Sequence, residues 1–354
     1  MRLCEMMGGM RVEIVTPKGR GSGSGNWTTA DRWARLLRES GHKVSVSGSW
    51  RYGGAEALIA LHARRSHDSI ARFASAHPDR PLVVALTGTD LYRDIHEDTG
   101  ARESLDLAWR LVVLQERGPD ELPTLHRDKA RVVYQSAAPL TREPDPAGFT
   151  ALVLGNLRPE KDPFRAALAA RLLPDDSGVR VLHAGGADEK HAAEAREHER
   201  RSPRYRWLGK VESDEARRLL ARSHLLVQSS TLEGGANAVG EAIAAGLPVL
   251  ASDIPGNVGM LGRGYPGYYP VGDERALAGL MLRAEQEPGF YAVLERGVGG
   301  RAHLVALERE REALAALIGE LERESGAARR GPRYTRRMDE RTRIRLTKYS
   351  TKAG

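Results

Sequence analysis

The chain of 354 residues contains a single cysteine, Cys4. No internal disulfide can form, so a reducing, cytoplasmic location is expected. No apolar run approaches the ~20 residues that span a bilayer. Met1–Gly9 lacks the apolar stretch of a secretory signal, and Met10, directly before the first strand, is a candidate start beside Met1. Zinc-type Cys/His spacing is missing, as is a Gly-x-Ser-x-Gly elbow. So is an Asp-x-Asp pair that would hold a metal against a diphosphate; no metal and no cofactor are expected. The glycine-rich loop Thr16–Asn26 (TPKGRGSGSGN) is no dinucleotide fingerprint, because no acid follows the second strand, and it does not match the phosphate loop of nucleotidases. Neither solenoid-length repeats nor long heptads occur.

What remains is globular: 41% of residues are hydrophobic, and the length suits two domains. The formal charge of +7 is concentrated at one end. Residues 326–354 hold ten Lys/Arg against two Asp/Glu, a net of +8, which leaves the other 325 residues at −1. The 325–354 stretch reads as a basic, disordered tail. Charge alone would let it touch anionic surfaces, but nucleic acid is not the expected partner.

The stretch that organises the chain is Ser229–Ser252, SSTLEGGANAVGEAIAAGLPVLAS. His224–Gln228 reads as a buried strand and Thr231–Ala236 as a loop. Asn237 reads as the N-cap of a helix over Ala238–Ala245, which Gly246 and Pro248 terminate. The amides of Asn237, Ala238 and Val239 would then face the loop, at a helix N-terminus suited to an anion. Glu233 and Glu241 bracket it. Acids there would repel phosphate, so their natural ligands are hydroxyls. The plain alternative is a buried βαβ turn with two solvated acids.

A second stretch bears on that choice. Ala151–Lys161 (ALVLGNLRPEK) is a strand, then Gly155, then Arg158 and Lys161 three apart. A Gly-x-x-Arg-x-x-Lys element about 70 residues before a Glu-x7-Glu pair, with alternating strands and helices between, resembles the retaining GT-B glycosyltransferases. The resemblance covers roughly Met10–Glu324. It implies an α/β GT-B fold: two Rossmann-like, doubly wound parallel-sheet domains facing a cleft. It implies that Arg158 and Lys161 neutralise the donor diphosphate, that Glu233 binds donor-sugar hydroxyls, and that Glu241 binds ribose. The base would sit near Trp207-Leu208-Gly209-Lys210, with Gly209 contacting the donor through its backbone.

The first domain is expected over 10–143. Its strands are Arg11–Val15, Lys43–Ser47, Ala57–Leu61, Pro81–Leu86, Trp109–Leu114 and Ala130–Gln135, with an amphipathic helix over Thr28–Ser40. Asp90 ends Thr87-Gly88-Thr89-Asp90 at a strand's carboxyl end and reads equally as a ligand-side residue or a helix cap. Leu140–Phe149, with two prolines, is the linker. The second domain, 150–290, alternates strands (Ala151–Leu154, Val179–Ala184, Tyr205–Leu208, His224–Gln228, Pro248–Ala251, Gly267–Pro270) with helices over Asp162–Leu173, Asp188–Arg200 and Ser213–Arg222. Gly185-Gly186 would admit a ligand close to the backbone. Of the eleven histidines, His183, at a strand end, is the one worth following; His62, after the third strand, reads as structural rather than catalytic. The GT-B resemblance further implies that a last helix, about 300–324, returns to the first domain.

Further motifs narrow the resemblance. Ser24-Gly25-Asn26, ALHARRS (Ala60–Ser66), ALTGTDLYRDI (Ala85–Ile95), VVLQ (Val112–Gln115), VVYQS (Val132–Ser136) and the Glu233 stretch together are similar to the selenosugar synthase family of selenoneine biosynthesis. That family implies transfer from a UDP-sugar, UDP-N-acetylglucosamine in the first instance, to selenophosphate, with other selenoneine-pathway enzymes as partners. The anionic acceptor would be held by Ser24, Gly25, Asn26, Thr87, Gly88 and Thr89, beside Asp90, with help from Arg64. Selenophosphate is already an anionic, soft nucleophile and needs no dedicated base. The Met1–Gly9 extension and the basic tail depart from the family. A conventional transferase with a hydroxyl acceptor, or a nucleotide-sugar-binding scaffold, remain as alternatives.

Overall fold

The computed structural model describes residues 9–17, 19 and 25–330, the last four in backbone only. Ser24, Cys4 and most of the basic tail lie outside the described residues. The chain forms two compact units. Unit 1 is Met1–Leu114, Gly118–Val133 and Glu310–Gly354; unit 2 is Gln115–Arg117 and Tyr134–Arg309.

Unit 1 is built on a six-stranded, wholly parallel sheet of order β2-β1-β3-β4-β5-β6. The strands are β1 (Arg11–Val15), β2 (Lys43–Ser47), β3 (Ala57–Leu61), β4 (Leu82–Leu86), β5 (Arg110–Val113) and β6 (Ala130–Val132). β3 (ALIAL) and β4 (LVVAL) are buried at every position, as central strands covered on both faces must be. Alternate residues serve opposite faces. Leu58 and Ala60 pack with Ile70 and Phe73 of α2 (His67–Ala76) and, after the short α3 (Ile95–Glu97), with Leu105 of α4 (Thr99–Leu107). Ala57, Ile59 and Leu61 pack instead with Trp33, Leu36 and Leu37 of α1 (Gly25–Glu39) and with Leu314, Leu317, Ile318 and Leu321.

Those last four residues belong to the final helix, which from Glu310 on is part of unit 1. Buried Glu310 accepts from Trp33 Nε1 at 2.8 Å and from Arg32 Nε at 3.1 Å. Glu320 accepts from Arg110 Nε at 2.9 Å and Arg131 Nε at 3.0 Å. α1 begins at Gly25, so Gly25 and Asn26, read from sequence as loop, form its first turn; Thr29 Oγ1 donates to Gly25 O at 2.9 Å.

Unit 2 repeats the scheme, with sheet order β12-β11-β10-β7-β8-β9, again all parallel. The strands are β7 (Phe149–Leu154), β8 (Val179–Ala184), β9 (Tyr205–Gly209), β10 (Leu225–Gln228), β11 (Val249–Ser252) and β12 (Tyr268–Tyr269). The helices are α5 (Arg165–Ala170), α6 (Glu189–Arg201), α7 (Ser213–Arg222), α8 (Asn237–Ala245), α9 (Pro255–Leu261), α10 (Glu274–Gln286) and α11 (Pro288–Gly299); α12 (Leu307–Arg330) starts here and continues in unit 1.

Several local expectations change. The helix expected from Asp162 starts at Arg165, because Asp162 takes a left-handed conformation (φ 42°) and Pro163 follows it. Asn237 is the first helical residue of α8, not its cap. The cap position falls on Ala236, which has no side-chain group to offer. Gly246 closes α8 at φ 64°, in the expected way. α9, PGNVGML, was not legible as a helix because its two glycines disfavour one. α12 runs to Arg330, six residues into the segment expected to be tail. No helix among the described residues is long and apolar enough to cross a membrane.

Candidate functional site

The carboxyl ends of the unit 2 strands carry most of the residues singled out from sequence. After β7 the chain passes Gly155 and Arg158 into a single 3-10 turn, Pro159–Lys161. This turn is stapled to the segment after β10. Thr231 donates from its amide to Glu160 O at 2.9 Å, and Ser229 Oγ donates to Lys161 O at 3.1 Å and Asp162 O at 2.9 Å. Three bonds to the carbonyls of Glu160, Lys161 and Asp162 therefore fix where the Lys161 backbone stands. Its ammonium binds Oε1 of Glu233, 72 positions along the chain, in a direct ion pair. Glu233 is buried, and Oε1 also accepts from Gln228 Nε2 and Ser230 Oγ, both at 2.6 Å.

Arg158 stands apart. Its side chain is exposed and makes no hydrogen bond or ion pair among the described residues. At the start of α8, Asn237 is exposed, Ala238 partly covered and Val239 buried; Glu241, a turn further on, is partly covered. No side chain caps this helix, so its N-terminal dipole is not neutralised by an acid on Ala236.

Gly185 has a different reason from the one expected. A Cβ there would lie 2.9 Å from the Asn156 amide nitrogen and closer still to the Gly155 carbonyl. The glycine makes room for the backbone of Gly155 and Asn156, just past β7. Asn156 Oδ1 takes the Gly186 amide at 2.9 Å. His183 braces the same corner, its ring between Gly155 O (3.2 Å) and Tyr205 OH (3.0 Å). Burial pushes its pKa down to about 4, so it is a neutral strut. Gly209 is left-handed (φ 72°), and its carbonyl accepts the Gly185 amide at 2.8 Å.

The unit 1 candidates form their own cluster. Asp90 is fully buried and acts as an internal anion: it takes the amides of Thr87 and Gly88 on Oδ1, both at 2.9 Å, and that of Ala63 on Oδ2 at 3.0 Å. Those two amides, expected to cradle an acceptor anion, are already engaged. Arg64 Nε donates to Asp94 at 2.8 Å. Burial pushes the Asp94 carboxyl up, but the hydrogen bond and charge of Arg64, with Arg93 and His62, outweigh it and hold it below the usual range. His62, read from the sequence as structural, is buried in a left-handed conformation (φ 75°), with Nε2 3.1 Å from Thr89 Oγ1. Burial, against the opposing pull of Asp90, lowers its pKa. Gly25 and Asn26 lie at the start of α1; Ser24 is outside the described residues.

The sequence reading also missed Gln228, Ser229, Ser230 and Thr231. The available signal was a run of polar residues at a carboxyl strand end, where open α/β sheets keep their ligands. Among the described residues, no group of three or more His, Cys, Asp or Glu could hold a metal ion.

Residues 142–296 match the family model described as glycosyl transferases group 1. No curated protein sequence matches the chain. Among solved structures, the chain is similar to HepE of Anabaena in complex with UDP-glucose, at 16% identity and a TM-score of 0.69, covering 88% of this chain and 100% of that one. It is similar to sucrose-phosphate synthase of Thermosynechococcus elongatus, at 14% identity and TM-score 0.71, covering 90% and 100%. The pneumococcal O-GlcNAc transferase GtfA, in complex with UDP and GlcNAc, gives 17% and 0.59 over 75% of this chain and 57% of that one. At these identities the likeness is one of fold, and the fold is GT-B.

Proposed function

We propose that this chain, a GT-B protein with a group 1 glycosyltransferase segment, is a UDP-sugar-dependent glycosyltransferase, and that the bond it makes is carbon to selenium. The observation that carries the donor half is the Lys161–Glu233 pair. The fold brings a cation and an acid from two separate loops to the carboxyl ends of β7 and β10, one turn of chain from the uncapped start of α8. In this reading Arg158, Lys161 and the amides of Asn237, Ala238 and Val239 balance the diphosphate. Glu241 holds ribose hydroxyls, Glu233 holds donor-sugar hydroxyls, and Gly209 lies by the base. No metal or cofactor is required, because two cations and a helix dipole stabilise the leaving UDP. Among the described residues Arg158 has no side-chain hydrogen bond or ion pair, which suits a side chain that meets a ligand charge.

The selenium half rests on the likeness of the body motifs to selenosugar synthases. A selenium lone pair of selenophosphate attacks the anomeric carbon. The bond from that carbon to the β-phosphate oxygen breaks, and its electron pair leaves with UDP. Water then hydrolyses the Se–P bond, giving a 1-selenosugar and phosphate. Since Asp90 occupies the amides of Thr87 and Gly88, the acceptor anion in this reading relies on Arg64, Thr89, Ser24, Gly25 and Asn26. Transfer to a hydroxyl acceptor is the second reading. The observation in its favour is His62, a buried neutral imidazole able to take a proton.

The test is anaerobic incubation with UDP-N-acetylglucosamine and selenophosphate, following UDP release and product mass. UDP release with a selenium isotope pattern on the sugar is the expected result. UDP release only with a sugar or lipid acceptor would replace the selenium reading by the second. Tight UDP binding without release under any acceptor would leave a binding protein.

A further inference from the structure

The protons around Glu233 can be assigned one by one. Gln228 Nε2 carries two N–H groups, directed to Glu233 Oε1 at 2.6 Å and to Ser230 Oγ at 2.8 Å. The opposite amide orientation would set a carbonyl oxygen against the carboxylate, and repulsion rules it out. The Ser230 hydroxyl thus accepts from Gln228, so its one proton goes to Glu233 Oε1, 2.6 Å away. The same polarity continues behind it. Asn257 Nδ2 donates to Ser252 O at 2.9 Å and Ser252 Oγ at 3.1 Å, and Ser252 Oγ donates to Ser230 O at 2.5 Å. Gln228, Ser230, Ser252 and Asn257 are all buried. With Lys161, three donors converge on one oxygen of Glu233. Oε2 has no hydrogen-bond partner among the described residues.

We propose that Gln228 and Ser230, backed by Ser252 and Asn257, are positioning residues: they saturate Oε1 of Glu233 and turn Oε2 outward as the acceptor for a donor-sugar hydroxyl. This rests on the nucleotide-sugar reading above. With an ammonium, an amide proton and a hydroxyl proton already on Oε1, the oxygen left to meet a sugar hydroxyl is Oε2. A donor held there is selected for a free hydroxyl at that point. The relay acts on the sugar side of the donor: among the described residues, none of its members is hydrogen-bonded to Arg158 or to an α8 amide.

The experiment measures kcat/KM and the separate affinities for UDP-N-acetylglucosamine and for UDP in the full chain. The variants are Ser230→Ala, Ser230→Thr and Gln228→Met, which keeps length but removes both donors. A misplacement of about 1 Å in a catalytic arrangement costs about a hundredfold. Ser230→Ala and Gln228→Met are expected to lose about that much in kcat/KM and to weaken UDP-N-acetylglucosamine binding. UDP affinity stays unchanged, and Ser230→Thr, which keeps the hydroxyl, restores most of the loss. Parallel loss of UDP and UDP-sugar affinity, tracking a fall in Tm, would make these residues merely structural and overturn the proposal. So would unchanged kinetics in variants of an active wild type. A wild type that binds no UDP-sugar would overturn the functional reading, and this one with it.

Discussion

Gly256 offers the sharpest single perturbation. It lies in α9, and a methyl group there would sit 2.9 Å from Glu233 Cβ and closer still to the Glu233 carbonyl oxygen. Ordinary contact between carbon atoms begins at about 3.5 Å. Either α9 or the Glu233 loop must therefore move by about 1 Å. α9 is the stiffer of the two: Gly256, Asn257, Gly259, Met260 and Leu261 are all buried in it. Glu233 should yield, and a shift of that size costs about a hundredfold in rate. Overpacking of this kind also destabilises by about 1–3 kcal/mol. The assay is UDP release by Gly256→Ala beside a thermal melt. The control is Gly279→Ala in α10, where an added Cβ meets nothing within 4 Å. That change should leave activity intact and stabilise the helix by up to about 1 kcal/mol. Wild-type activity in Gly256→Ala would refute the idea that α9 fixes Glu233.

Other outcomes follow from the same geometry. Lys161→Ala and Arg158→Ala should each lower kcat about a hundredfold in the UDP-release assay. Only Lys161→Ala also leaves Glu233 without its cation, so it alone should change stability. Hydrogen bonds from Arg131, against a smaller burial effect, and then from Arg110, hold the Glu320 carboxyl down at about 2. Its folded pKa is lowered, so the stabilisation is present above the unfolded value near 4.5 and is lost as pH falls toward 2. Urea unfolding at pH 7 and pH 3 should show this slope, and Glu320→Gln should flatten it. His183 also has a lowered folded pKa, about 4, but its neutral form is the favoured one. Unfolding should become easier as pH drops from about 6.5 to 4, by up to about 3 kcal/mol. His183→Asn should remove that part of the slope.

The strands were legible because parallel sheets buried on both faces demand continuous apolar runs, and ALIAL, LVVAL and HLLVQ supply them. The donor-site residues were legible by type and order, Arg158 and Lys161 after one strand and Glu233 after another. That Lys161 and Glu233 bind each other was not, because the contact closes a 72-residue separation that no local pattern encodes. Asp90 was left between two readings, and the structure gives it a third: a carboxylate spent on three backbone amides. Its neighbours Thr87 and Gly88 looked like anion ligands because an amide's availability depends on what folds back over it. The same applies to Gly185 and Gly256, whose missing side chains make way for backbone from Gly155 and Glu233.

The last helix bears on when the first unit can exist at all. Its Leu314, Leu317, Ile318 and Leu321 complete the face of the sheet that also holds Trp33 and Leu36, and Glu310 is the partner of the Trp33 indole across 277 positions. A chain emerging from the ribosome makes all six strands of this unit long before the segment that covers them. Unit 2, whose residues end at Arg309, is by then complete and able to fold. While unit 2 is being made, the part of this sheet face that α1 does not cover stays open to chaperones or to a second copy.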